Sequence, residues 1–118
     1  MKIYLAAPWV RREEAKAAAA QAVEAGHTIT HDWWNHEAGN EDTDELERLG
    51  RLDYDAVRTC EAFIVLNLEK SEGKSVEQGI ALYGHLDGPA GPYYLIGVGP
   101  RGTNIFQNLA CWLWVDTF

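Results

Sequence analysis

Glu77 stands in the stretch Ser71-Glu72-Gly73-Lys74-Ser75-Val76-Glu77-Gln78-Gly79-Ile80-Ala81-Leu82, which directly follows the apolar run Ala62-Phe63-Ile64-Val65-Leu66. The pattern is that of a strand ending in a Gly/Ser loop that opens a helix. In an open parallel sheet the carboxyl ends of the strands form the ligand crevice, and helix N-termini there offer backbone N–H groups to anions or hydroxyls. On this reading Glu77 lies in the first turn of its helix, where the dipole favours the ionised carboxylate. Two more carboxylates, Asp53 and Asp55, precede the same strand. Two apart on a predicted helix, they cannot share a face, so only one of them joins Glu77. Ser71 and the backbone of Gly73 complete a set of hydroxyl and N–H donors beside charged carboxylates.

The elements that must position these groups follow from periodicity and turn chemistry. Residues 3–7 form a short apolar strand, and residues 11–25, rich in Ala, Glu, Lys and Gln, form a helix that ends at Gly26. The alternation Thr28-Ile29-Thr30-His31 predicts a second strand, parallel to the first through a crossover. Trp33-Trp34-Asn35-His36 then leads into a polar loop over 37–44 at the rim of the sheet, with Glu41-Asp42-Thr43-Asp44-Glu45 a solvated helix start. Leu46, Leu49, Leu52 and Val57 give residues 44–59 a helical spacing, with Gly50 a weak point at which the helix breaks or bends. Residues 62–68 read as a central strand covered on both faces. Residues 75–85 form the next helix, closed by the turn cluster Asp87-Gly88-Pro89-Ala90-Gly91-Pro92, and residues 93–98 the fourth strand. The apolar tail 111–115 fits either a fifth strand or a short interface helix. This alternation predicts an α/β fold, a small doubly wound (Rossmann-like or flavodoxin-like) parallel sheet of four to five strands flanked by helices, with residues 1–118 as one domain.

Bulk properties narrow the class. The 118 residues are 47% hydrophobic, and no apolar run approaches the roughly 20 residues of a membrane span. The start, Met1-Lys2-Ile3-Tyr4-Leu5, is interrupted too soon by Pro8 and Arg11-Arg12 for a secretory signal, so a cytoplasmic location is expected. A net charge of −8 argues against a nucleic-acid polymer as ligand, since such binding rests on Lys and Arg neutralising phosphates. Cys60 and Cys111 lie in apolar surroundings without metal-ligand spacing and read as buried thiols. His31 and His36 flank the Trp pair but lack a third ligand, so no metal site is expected.

Three features together carry a resemblance: Tyr4-Leu5-Ala6-Ala7-Pro8 in the first strand, an Asp ahead of the third, and Ser-x-Gly-x-x-x-Glu-x-Gly after it. The chain resembles the nucleoside 2-deoxyribosyltransferase family and its relatives, the 2'-deoxynucleoside 5'-monophosphate N-hydrolases, over nearly its whole length. The resemblance implies that Glu77 attacks the anomeric carbon of a sugar and that Asp53, chosen by its spacing to Glu77, is the acid/base. The chemistry is coherent, because retaining cleavage of an N-glycosidic bond needs a carboxylate nucleophile and an acid to protonate the departing base. That acid has to hold a proton near neutral pH, which burial beside another carboxylate supplies. The expected substrate is a small nucleoside or nucleotide, with no metal or organic cofactor.

The resemblance also assigns contacts. Ser71 stands where the hydrolases place a serine on the 5'-phosphate, whereas Ala7, Pro8 and the following Trp-Val match the transferases and lack the hydrolases' phosphate-binding serine and arginine. Ser75 replaces a glycine of many members and supplies either a hydroxyl to a ligand or a helix cap. Tyr4 is placed against the substrate, and Trp33 and Trp34 offer a ring to stack on a base. Asn104 is similar in placement to an asparagine that transferases lend to a neighbouring subunit. It implies a homo-oligomer, a dimer or higher, with Phe106, Trp112 and Trp114 at the interface. Hydrolysis and base transfer both remain open. The competing readings are a nucleotide-binding module without catalysis and an NAD-type glycohydrolase, for which the chain leaves little room.

Overall fold

In the computed structural model, which describes residues 1–36, 42–88 and 90–118, the five strands form one sheet whose pairings are all parallel, in the order β2-β1-β3-β4-β5. The strands are β1 (Lys2–Ala6), β2 (Thr28–Ile29), β3 (Ala62–Leu66), β4 (Tyr94–Val98) and β5 (Trp112–Val115). Between them run α1 (Arg12–Glu24), α2 (Thr43–Thr59) and α3 (Glu72–Asp87). Short 3-10 turns at Trp9–Arg11, Trp33–Asn35 and Ile105–Asn108 complete the path. This is the doubly wound α/β arrangement, and its strand order reverses direction between β1 and β3, the position at which such sheets open a crevice.

Each face of the sheet has its own core. On one, Ile3, Leu5, Ala62, Ile64 and Leu66 pack against Ala15, Ala18, Ala19 and Ala22 of α1. That alanine stripe recurs at helical spacing and lets the helix lie close to the strands. On the other, Tyr4, Ala6, Phe63, Val65 and Leu95 meet Ala56 and Val57 of α2 and Ala81 and Leu82 of α3. β3 is buried at all five positions, as a strand covered on both sides must be. Cys60 is buried in the second core, where its thiol donates to the Val57 carbonyl at 3.1 Å and burial pushes its pKa up to about 12.

Several boundaries differ from the sequence reading. α2 runs unbroken through Gly50, whose position is exposed, and the ion pairs Arg48–Glu45 and Arg51–Glu47 bracket it. A single helical glycine costs only about 1 kcal/mol, which these neighbours help to offset. Asp42 caps α2 by accepting from the Glu45 amide at 2.8 Å. α3 begins at Glu72, ahead of the expected start at 75, because Ser71 in extended conformation accepts from the Lys74 amide and caps it. The tail is a fifth strand, in register with β4 from Leu95↔Trp112 to Val98↔Val115. Most of the rim loop expected at 37–44, and Pro89 of the expected turn, lie outside the described residues.

Candidate active site

The two carboxylates singled out by spacing are brought together by a residue of β1. Tyr4 is fully buried, its ring stacked on Phe63 with centroids 5.9 Å apart and planes 5° from parallel. Its hydroxyl donates to Glu77 Oε2 and lies 3.3 Å from Asp53 Oδ1. A phenol has one proton, so it serves the two carboxylates by turns. Asp53 comes from α2 and Glu77 from α3, so two helices and the central part of the sheet converge on one hydroxyl.

Glu77 sits in the second turn of α3, half-buried, and not in the first turn as the sequence reading had it. The difference reverses its electrostatics. Away from the helix end the dipole no longer dominates, and desolvation pushes the carboxyl up to about 8, with the charge of Asp53 pushing the same way and the Tyr4 hydrogen bond opposing. Burial likewise drives the Tyr4 phenol far above its ordinary range, reinforced by the charges of Glu77 and Asp53. Tyr4 therefore stays a donor.

A fourth member was missed by the sequence reading. His31 Nδ1 lies 2.7 Å from Asp53 Oδ1, with the imidazole mostly buried. With Nδ1 protonated it donates to Asp53, occupying that oxygen and leaving Oδ2 for other work. The chain reaches this place because β2 ends at Ile29, after which Thr30 bonds to the Ile3 carbonyl through its amide at 2.9 Å.

Aromatic rings gather at the ends of β1 and β2. Trp33 Nε1 donates to the Leu5 carbonyl at 2.7 Å, pinning the 3-10 turn against β1. Trp34 meets Trp33 edge-on at 5.6 Å, and Trp9, another residue not assigned from sequence, lies 6.2 Å from Trp33 and 6.5 Å from His36. Trp9 is the most open of these rings, with the Arg12 guanidinium 4.9 Å from its centroid. Ala7 and Pro8 are buried, and the Pro8 carbonyl accepts from the Arg11 amide at 2.8 Å to set the turn that carries Trp9.

The remaining residues singled out by sequence fall elsewhere. Ser71 caps α3, Ser75 Oγ donates to the Ser71 carbonyl at 2.9 Å, and Asn104 Oδ1 accepts from the Phe106 amide at 2.9 Å, capping the turn Ile105–Asn108. All three line a cavity of about 730 Å³ at the ends of β3 and β4, whose walls do not include Tyr4, Asp53 or Glu77. Gly73 lies in the first turn of α3 with open space where a side chain would be. Of the aromatic tail, Trp112 is buried against Phe63, Trp114 packs on Trp112, and only Phe106 is largely exposed. Among the described residues no cluster of three or more His, Cys, Asp or Glu is placed to hold a metal, and no helix is long and apolar enough to cross a membrane.

No protein-family model matches the chain, and no curated protein does. Among solved structures it is similar in fold to the Clostridium botulinum CMP N-glycosidase BcmB, with a TM-score of 0.65 and 17% sequence identity, over 98% of this chain and 87% of that one.

Proposed function

We propose that this chain is an enzyme of the nucleoside 2-deoxyribosyltransferase superfamily that breaks the N-glycosidic bond of a 2'-deoxynucleoside or its 5'-monophosphate. The observation that carries the reading is the Tyr4 hydroxyl set between Glu77 and Asp53. A nucleophile and an acid/base for one anomeric carbon must face a common point, and here residues from β1, α2 and α3 do so. The fold shared with an enzyme named as a CMP N-glycosidase supports it further.

In the first step a carboxylate oxygen of Glu77 bonds to the anomeric carbon as the carbon–nitrogen bond breaks. The bonding pair leaves with the base, which takes a proton from Asp53. In the second step water, or a second base, attacks the glycosyl-Glu77 ester and Asp53 accepts the proton released. Glu77 must be ionised to attack, so the positive charge that develops on the sugar offsets the cost of a carboxylate in a desolvated seam. Tyr4 steers it by hydrogen bond. His31 is a positioning residue that fixes Asp53. Trp9, Trp33 and Trp34 supply the aromatic wall for the base.

The test incubates the protein with deoxynucleosides and their 5'-monophosphates, with and without a second free base, and follows released and exchanged base by chromatography. Base release from monophosphates identifies the hydrolase, and new nucleosides formed only with added base identify the transferase. Turnover by Glu77→Ala equal to that of the wild type would end the proposal, as would the absence of turnover by the wild type on every substrate.

A further inference from the structure

The two edges of the sheet are unequal. β2 closes one edge with two residues, whereas β5 runs four residues along the other, and among the described residues no strand lies beyond it. Edge strands that stay single usually carry a lysine, a proline or a bulge that blocks further pairing. β5 has none of these. It reads Trp112-Leu113-Trp114-Val115, in unbroken register with β4.

Backbone and side chains are both laid out for another strand. The Gly99 amide donates to the Val115 carbonyl at 2.9 Å, so Val115, and with it Leu113, turns its peptide groups toward β4. The N–H and C=O of Trp114, between them, therefore point away from the sheet. Trp112 and Trp114, which the sequence reading placed at an interface, face the core that holds Tyr4 and Phe63. Leu113 and Val115 stand on the opposite face, level with Ile96 and Val98, and are 60% and 38% exposed. An edge open along its backbone and apolar on an uncovered face fits an added β-strand.

We propose that β5 pairs antiparallel with β5 of a second copy of this chain, about a two-fold axis through Trp114, and joins the two sheets into one. The strand is complementary to itself in this register. Trp114 exchanges both backbone hydrogen bonds with Trp114 of the partner subunit. Leu113 stands directly opposite the partner's Val115 in the closely spaced position without hydrogen bonds, and the two-fold repeats that contact, so the exposed apolar side chains cover one another. A pairing centred on Leu113 would need the Trp112 amide, which already donates to the Leu109 carbonyl at 3.3 Å. The net charge of −8 on each copy opposes association, but the seam itself carries no charge. Its nearest acid, Asp116, falls about 14 Å from its counterpart at about 3.4 Å per residue, beyond the screening length of about 8 Å at physiological salt.

Sedimentation velocity of the full chain over about 1–500 μM tests the pairing, and a shift from monomer to dimer with rising concentration is expected. Leu113→Lys places an ammonium opposite the partner's Val115 and weakens the dimer by about tenfold or more. Leu86→Lys, at an equally exposed leucine on α3, leaves it within about twofold. A second measurement reads the register without relying on Leu113→Lys. In a Cys111→Ser background, Leu113→Cys combined with Val115→Cys is expected to link two copies covalently under mild oxidation, because directly opposed residues of this kind have the spacing of a disulfide. A chain that stays monomeric throughout overturns the proposal. So does a dimer that Leu113→Lys leaves intact, and so does cross-linking by Leu113→Cys alone as efficient as by the pair.

Discussion

Tyr4 and Glu77 share a hydrogen bond across 73 residues of sequence, from the third position of the first strand to the second turn of α3. Glu77 is the carboxyl that burial makes hardest to ionise, and the Tyr4 hydroxyl is the group that opposes this. The proposed nucleophile is thus held in a balance that one oxygen atom controls.

Replacing Tyr4 by Phe keeps the ring stacked on Phe63 and removes only that oxygen. The active form holds one proton on the coupled pair, Glu77 ionised and Asp53 as the acid, so the pH profile of kcat/KM for base release in the wild type is expected to fall with a midpoint near 8, where the pair gives up that proton. In Tyr4→Phe the midpoint moves to higher pH and activity at neutral pH falls by about tenfold or more. A profile that keeps its midpoint would show that the hydroxyl does not tune Glu77.

Stability should carry the same signature. The ordinary value of 4.5 applies when the chain is unfolded, against about 8 when folded. Below the lower value both states hold the proton and there is no penalty. Between the two the folded state binds more protons than the unfolded one, so stability declines as pH rises, and it levels off above the higher value. Glu77→Gln cannot ionise and escapes the decline. Its stability gain over the wild type in urea denaturation is expected to be small near pH 5 and to grow to a few kcal/mol near pH 9. A gain independent of pH would mean that Glu77 ionises freely in the folded protein.

His31 acts only through Asp53, so its removal should separate catalysis from binding. His31→Ala is expected to lower kcat by about tenfold to a hundredfold with little change in KM. His31→Asn, whose amide nitrogen can stand where Nδ1 stood, should recover part of the loss. Equal loss in both variants would assign His31 a packing role instead.

The elements were legible in the sequence wherever one period dominated. β3 is apolar throughout, α1 carries its alanine stripe, and both emerged near their observed bounds. The tail was not legible, because Cys-Trp-Leu-Trp-Val satisfies both the helical and the strand period. Pairing with β4 decides it, and pairing is not a local property. The start of α3 was hidden because Glu72 and Gly73 resemble loop residues until Ser71 is seen to cap them. At the site, Glu77 and Asp53 were visible through spacing and resemblance. His31 was taken for a strand residue, since the early end of β2 and the reach to α2 depend on contacts distant in sequence.

Gly97 offers a test of the fifth strand that leaves the carboxylates untouched. Its pairing partner on β5 is Trp114, whose ring crosses so closely that an added methyl group would lie 2.3 Å from Cζ3. The ring cannot yield easily: its Nε1 donates to the Gln107 carbonyl at 3.2 Å and its other side meets Trp112 at 5.9 Å. Trp112 in turn is part of the core against Phe63. Gly97→Ala must therefore displace Trp114 or spread β4 from β5, at a cost of about 1–3 kcal/mol. The expected result is a lower urea midpoint at an unchanged m-value, reversed in large part by Trp114→Ala in the same chain. A midpoint equal to that of the wild type would show that the Trp114 ring does not close over Gly97.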